Sequence, residues 1–123
     1  EKVQDILTAG SHGSTFGGNP ICCAGAISIL SRIDDNLLTD ITKKSEYIVS
    51  RLSKCEKVKS VSGKGFMLGI ECEKSAKDVI ASAMEKGVLV LSAKTKVRLL
   101  PPLNIPFELL EDAIDKLIEA IEE

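Results

Sequence analysis

The sequence predicts an α+β fold: a two-layer domain with a small, mainly antiparallel sheet and helices on one face. Three observations predict it. Apolar residues recur at helical spacing in four segments, and at period two or in short runs in four others. The order of these segments is α, α, β, β, α, β, β, α. The links inside the two strand pairs are too short for a helical crossover and fit hairpins.

The elements follow in order. Residues 1–11 are weakly patterned; Val3, Ile6 and Leu7 would make one helical turn or a strap on another surface. Asn19 suits an N-cap and Pro20 the first helical turn. From there Ile21, Ala24, Ala26, Ile27, Ile29 and Leu30 make a nearly all-round apolar helix to about Ile33, a pattern that calls for burial on several sides. This helix needs a cover beyond the sheet, from another domain or a second subunit. Asp34-Asp35-Asn36 breaks or re-caps the chain. Leu37, Leu38, Ile41, Tyr47, Ile48 and Leu52 then form the buried stripe of a second helix, with Lys43, Lys44, Glu46 and Arg51 expected on its solvated face.

After Leu52 the period changes. Val58 and Ser60 alternate with Lys57, Lys59 and Val61 up to Gly63-Lys64-Gly65, and Phe66–Cys72 reads as the next strand. Gly63 and Gly65 serve the backbone of the turn between them. Ser75 caps a helix over 75–86, with Ala76, Val79, Ile80, Ala83 and Met84 as its apolar residues and Gly87 as its stop. Val88–Leu91 and Val97–Leu100 are two further strands joined through Ala93-Lys94-Thr95. Lys94 and Lys96 flank that turn and need no function. Pro101-Pro102 ends the last strand. Pro106 precedes a final amphipathic helix with Leu109, Leu110, Ala113, Ile114, Leu117, Ile118 and Ile121 on one face.

Composition narrows the function classes. A chain of 123 residues is about one domain. Net charge is −2 and the lysines and arginines are interspersed with acids, so nothing points to nucleic acid. No apolar run approaches the roughly 18 residues of a membrane span. No secretory leader is visible, and a cytoplasmic location is expected. The chain begins at Glu1 rather than Met, as a fragment or processed chain would, a removed tag being the alternative. Cys22, Cys23, Cys55 and Cys72 form no Cys-x-x-Cys pair, so no zinc site is expected; they read as small buried hydrophobes in a reducing compartment.

The chemistry concentrates in His12-Gly13-Ser14-Thr15-Phe16-Gly17-Gly18-Asn19-Pro20. Glycines let backbone N–H groups approach an anion, and the hydroxyls of Ser14 and Thr15 add donors. The residues alone leave a phosphate loop and a plain glycine-rich turn both open. His12, the single histidine, reads as a loop residue making structural hydrogen bonds. Arg98 stands in the apolar strand Val97-Arg98-Leu99-Leu100 and needs either an anionic partner or a solvent-facing position.

As strings these residues are more specific. His12–Ala26 resembles the phosphate loop and following helix of class III pyridoxal-phosphate (PLP) aminotransferases, the acetylornithine-acting branch before the ornithine-acting one. Val61–Glu71 resembles that family's Gly-x-Gly strand pair, and Val97–Ile105 its Arg-hydrophobic-x-Pro-Pro-Leu strand. The blocks stand in the right order and cover nearly the whole chain. The resemblance implies a fold-type I small C-terminal domain over 20–123, preceded by an interface and phosphate-loop segment over 1–19. It implies that Thr15, with Ser14 beside it, contacts the PLP phosphate across a homodimer interface. It implies that Arg98 lies near a substrate carboxylate, where it can also pair with an acid of the large domain. The substrates would be small amino acids and 2-oxo acids, and the parent would move the amino group of N-acetylornithine to 2-oxoglutarate in arginine biosynthesis. One departure matters. No residue in 1–11 matches the context of the reactive lysine, and the acid and aromatic that hold the cofactor ring are also missing, so the chain alone should be inactive. Two alternatives stay open: a relative acting on ornithine, succinylornithine or 4-aminobutyrate, and a non-catalytic α+β binding or dimerisation module.

Overall fold

The computed structural model describes residue 6 and residues 8–123. Val3 and Leu7, and with them most of the expected N-terminal turn or strap, lie outside the described residues; Ile6 is exposed. The elements are α1 (Pro20–Leu30), α2 (Asp35–Leu52), β1 (Val58–Lys64), β2 (Met67–Cys72), α3 (Ala76–Glu85), β3 (Leu91–Ala93), β4 (Lys96–Leu99) and α4 (Phe107–Glu122). The chain forms two compact units, residues 1–34 and 35–123.

The second unit is the two-layer α+β domain. Its sheet has the order β1-β2-β4-β3, antiparallel throughout. Alternation does the sorting. Leu68, Ile70 and Cys72 of β2 and Val97 and Leu99 of β4 are buried, while the residues between them are more open. The buried face meets Ile48 and Leu52 of α2, Val79 and Ala83 of α3, and Leu110, Ile114, Leu117 and Ile121 of α4, which form one continuous core. A side chain such as Ile114, 1% exposed, stabilises this core by roughly 2–5 kcal/mol relative to alanine.

Local chemistry sets the element ends. Ser75 accepts the Asp78 N–H at 3.2 Å, and Gly87, at φ +85°, closes α3 with the Val88 N–H donating to the Ala83 carbonyl at 2.8 Å. Gly65, at φ +55°, opens the two-residue turn between Lys64 and Met67. The strand expected over 88–91 is displaced: β3 begins only at Leu91. The register pairs Leu91 with Arg98 and Ala93 with Lys96. The last pair of the ladder is Leu91 with Arg98 and β4 ends at Leu99, so Val88, Leu89 and Val90 stay outside the strand. Lys94, at φ +57°, occupies the tight turn between β3 and β4.

Lys44 corrects a second expectation. It is not on a solvated face but 7% exposed. Its ammonium donates to Asp40 Oδ2 at 2.6 Å and to the Ile105 carbonyl at 2.7 Å, tying α2 to the link before α4. On the same pair of helices, Tyr47 donates to Glu111, while Arg51 donates to Tyr47 Oη and pairs with Asp115.

In the first unit, α1 ends at Leu30 with Ser31 as its C-cap, and Asp34 falls at the break before α2, which Asp35 begins. The helix is apolar all round yet buries none of its residues. Cys22 and Cys23 are therefore exposed in this chain, not buried as expected, because α1 has no covered face on which to place them. Cys55 and Cys72 are buried, and burial pushes both thiols up from their ordinary value.

Candidate functional site

Two groups of residues can hold an anion, one in each unit. In the first, the loop turns twice before α1. The Gly17 N–H donates to the Ser14 carbonyl at 3.3 Å, and the Asn19 N–H donates to the Phe16 carbonyl at 3.3 Å. A Cβ on Gly17 would stand 3.1 Å from the Ser14 Cβ, and Gly18 has φ +74°, so both glycines serve the turn itself. Asn19 Oδ1 then accepts the Cys22 N–H at 3.0 Å, and Pro20 begins the helix.

Ser14 and Thr15 are exposed, and their hydroxyls make no hydrogen bond to another described residue. The first turn of α1 carries no acidic side chain. Free hydroxyls, flexible glycines and a helix start without a carboxylate fit a phosphate group. His12 is exposed, without the structural hydrogen bonds expected of it among the described residues.

The second group lies on the open face of the sheet. Register places Ser62 opposite Gly69, Gly69 opposite Arg98, and Arg98 opposite Leu91, and directly opposed residues share a face. Lys96 and Glu71, each two residues from a member of this row, share that face too. Arg98 is half-buried. Its Nε is shielded from solvent and has no hydrogen-bond partner among the described residues. A shielded guanidinium N–H left unpaired is costly, and a planar carboxylate is the group that fits it.

The sequence pattern did not single out the neighbours of Arg98. Lys96 donates to Ser62 Oγ at 2.9 Å and stands 3.9 Å from Glu71 Oε2. Ser60 Oγ donates to the same carboxylate oxygen at 3.1 Å. The aliphatic stem of Lys96 runs over Gly69, where an added Cβ would meet its Cδ at 3.3 Å. The available signal was the two-residue spacing from Lys96 to Arg98, which in a strand puts both on one face.

The comparisons with known proteins agree with the fold. The model of the aminotransferase class-III family matches residues 1–121. The chain belongs to the class-III aminotransferases. It is 40% identical over 125 residues to the acetylornithine aminotransferase of Haemophilus ducreyi, covering all of this chain and 32% of that protein. It is 39% identical over 129 residues to the mitochondrial acetylornithine aminotransferase of Saccharomyces cerevisiae, covering 99% of this chain and 30% of the relative. Among solved structures, the acetylornithine aminotransferase of Elizabethkingia anophelis superposes with a TM-score of 0.78 at 30% identity, over 96% of this chain and 32% of the other. The ornithine aminotransferase of Toxoplasma gondii gives a TM-score of 0.78 at 30% identity, over 99% of this chain and 31% of the other. The chain thus spans about a third of the length of these relatives. Members of this family are PLP-dependent transaminases.

Proposed function

We propose that residues 20–123 are the small C-terminal domain, and residues 1–19 an interface segment with a phosphate loop, of an enzyme that moves the amino group of N-acetylornithine to 2-oxoglutarate. The observation that carries this reading is Arg98: a guanidinium on an open sheet face, its Nε shielded and without a partner among the described residues. A fixed charge that binds a carboxylate at two points is what an amino-acid or oxo-acid substrate requires. The identities of about 40% to proteins named acetylornithine aminotransferase support the choice of donor.

PLP, when bound, supplies the electron sink that lets an amino group pass between carbon skeletons. The chain's own part is to hold anions. Ser14 and Thr15 donate to the cofactor phosphate of the opposite subunit in a homodimer, and Arg98 orients the substrate by its carboxylate. The apolar α1 is covered by the rest of the polypeptide or by the second subunit. The enzyme works in the cytoplasm, in arginine biosynthesis. The isolated chain, with no match to the reactive lysine, does not turn over.

The test is Arg98→Lys in the full-length enzyme, read by single-turnover kinetics of each half-reaction. Loss of the two-point contact lowers efficiency by about 30- to 1,000-fold in both halves, equivalent to about 2–4 kcal/mol. PLP retention stays near wild type. Wild-type rates in both halves would overturn the role of Arg98.

A further inference from the structure

We propose that Lys44, with Ser45 beside it, is a positioning residue that holds Arg98 in place for the substrate carboxylate. The inference rests on the reading of Arg98 as the carboxylate-binding residue.

Lys44 is the only charged side chain that is buried among the described residues, at 7% exposed. Burying an ammonium is unfavourable unless its donors are used, and an apolar side chain of similar length would fill the same space. What the charge adds is a grip on a loop. The ammonium donates to the Ile105 carbonyl at 2.7 Å, across 61 residues of sequence. Ile105 in turn donates its N–H to the Pro102 carbonyl at 3.1 Å, so a hold on Ile105 is also a hold on Pro102. From Pro102 back to Arg98 the chain is stiff. Pro101 and Pro102 have a fixed φ, and the proline that follows each keeps Leu100 and Pro101 out of the helical region. A shift at Ile105 is therefore carried into β4 instead of being absorbed on the way.

β4 needs that support. It has four residues and pairs with β2 at three positions, and Arg98 stands one residue from its end. Leu68 pairs with Leu99, so the turn before β2 and the link after β4 leave the sheet at the same end. Ser45 Oγ donates to the Gly65 carbonyl in that turn at 2.7 Å. Adjacent residues of α2 thus grip both loops that frame the end of the sheet carrying Arg98. A planar guanidinium that binds a carboxylate at two points tolerates little displacement, which makes its support part of substrate binding.

The experiment uses the full-length, PLP-loaded enzyme. Steady-state kinetics with N-acetylornithine and 2-oxoglutarate are measured at a temperature where circular dichroism shows each variant folded. Lys44→Met should raise KM for both substrates by about tenfold and leave kcat within about twofold. PLP retention should stay near wild type. Lys44→Arg keeps a donor for the carbonyl and should restore KM. Ser45→Ala is the milder change, should raise both KM values several-fold, and decides the matter if Lys44→Met does not fold. Ile121→Val, at the far end of α4, loosens the core without touching either loop. Such a plain loss of stability lowers kcat through the active fraction and leaves KM alone. In an Arg98→Lys background, Lys44→Met should add less than about twofold, because both changes act through one residue. Unchanged KM in the folded Lys44 and Ser45 variants, or a full further rise in the double variant, overturns the positioning role alone. If Arg98→Lys by itself leaves both substrates unaffected, the underlying reading of Arg98 fails, and the inference with it.

Discussion

A Cβ placed on Gly63 would stand 2.0 Å from the carbonyl oxygen of Met67, across the β1–β2 hairpin. Gly63 also has φ +136°, a conformation that side chains strain to adopt. The backbone carbonyl cannot swing away without breaking the ladder that pairs Lys64 with Met67 and Gly63 with Leu68. Gly63→Ala should therefore cost about 2–4 kcal/mol. Gly87→Ala is the comparison: φ is +85° there, but nothing lies within 4 Å, so only the backbone cost of about 1 kcal/mol applies. Urea unfolding of both variants checks the difference. Equal midpoints would mean the hairpin relaxes freely around residue 63.

Lys44 and Asp40 should contribute unequally. Lys44→Met keeps most of the buried stem but leaves the buried Ile105 carbonyl without its donor, a loss of about 1–3 kcal/mol. Asp40 is about half exposed, so Asp40→Asn should cost less than about 1 kcal/mol. Thermal unfolding of the two variants measures the ratio, and an Asp40 variant as damaged as the Lys44 one would show that the ion pair, not the carbonyl contact, holds the link.

The four thiols divide into two classes. Cys22 and Cys23 are exposed, and Cys55 and Cys72 lie in the core. Iodoacetamide should label two thiols rapidly in the native chain and all four in denaturant. Burial raises the native pKa of Cys55 and of Cys72 above the value near 8.5 of an unfolded thiol. The unfolded state therefore loses these protons first as pH rises. Their contribution to stability is complete below about pH 8.5 and declines from there towards the raised native value. The Cys55→Ala, Cys72→Ala double variant should show a shallower alkaline decline in urea midpoint. Four thiols labelled at equal rates, or an identical pH slope, would contradict the burial of this pair.

Thr15→Ala in the full-length enzyme should weaken PLP retention more than it changes substrate preference. A hydroxyl donating to a charged phosphate contributes about 1.5–3 kcal/mol. Dialysis of the holoenzyme followed by cofactor absorbance measures it, and unchanged retention would remove Thr15 from the phosphate site.

The sequence by itself determined the order of the elements, their type and most of their ends. These are local matters: the apolar period separates helix from strand, Asn19 and Ser75 cap, Gly87 stops α3, and Gly63 and Gly65 turn the chain. It also determined the strings that resemble an aminotransferase, because a loop such as Ser14-Thr15-Phe16-Gly17-Gly18 is contiguous. Only the tertiary structure decided where non-local partners meet. Lys44 reads as solvent-facing until Ile105, 61 residues on, brings a carbonyl to its ammonium. The apolar run from Val88 reads as strand, yet pairing with β4 begins only at Leu91, opposite Arg98. Lys96 reads as a turn lysine until register sets Gly69 beneath it and Ser62 and Glu71 around it. Periodicity says which face a side chain takes. Pairing register, fixed by packing across the whole sheet, says what it meets there.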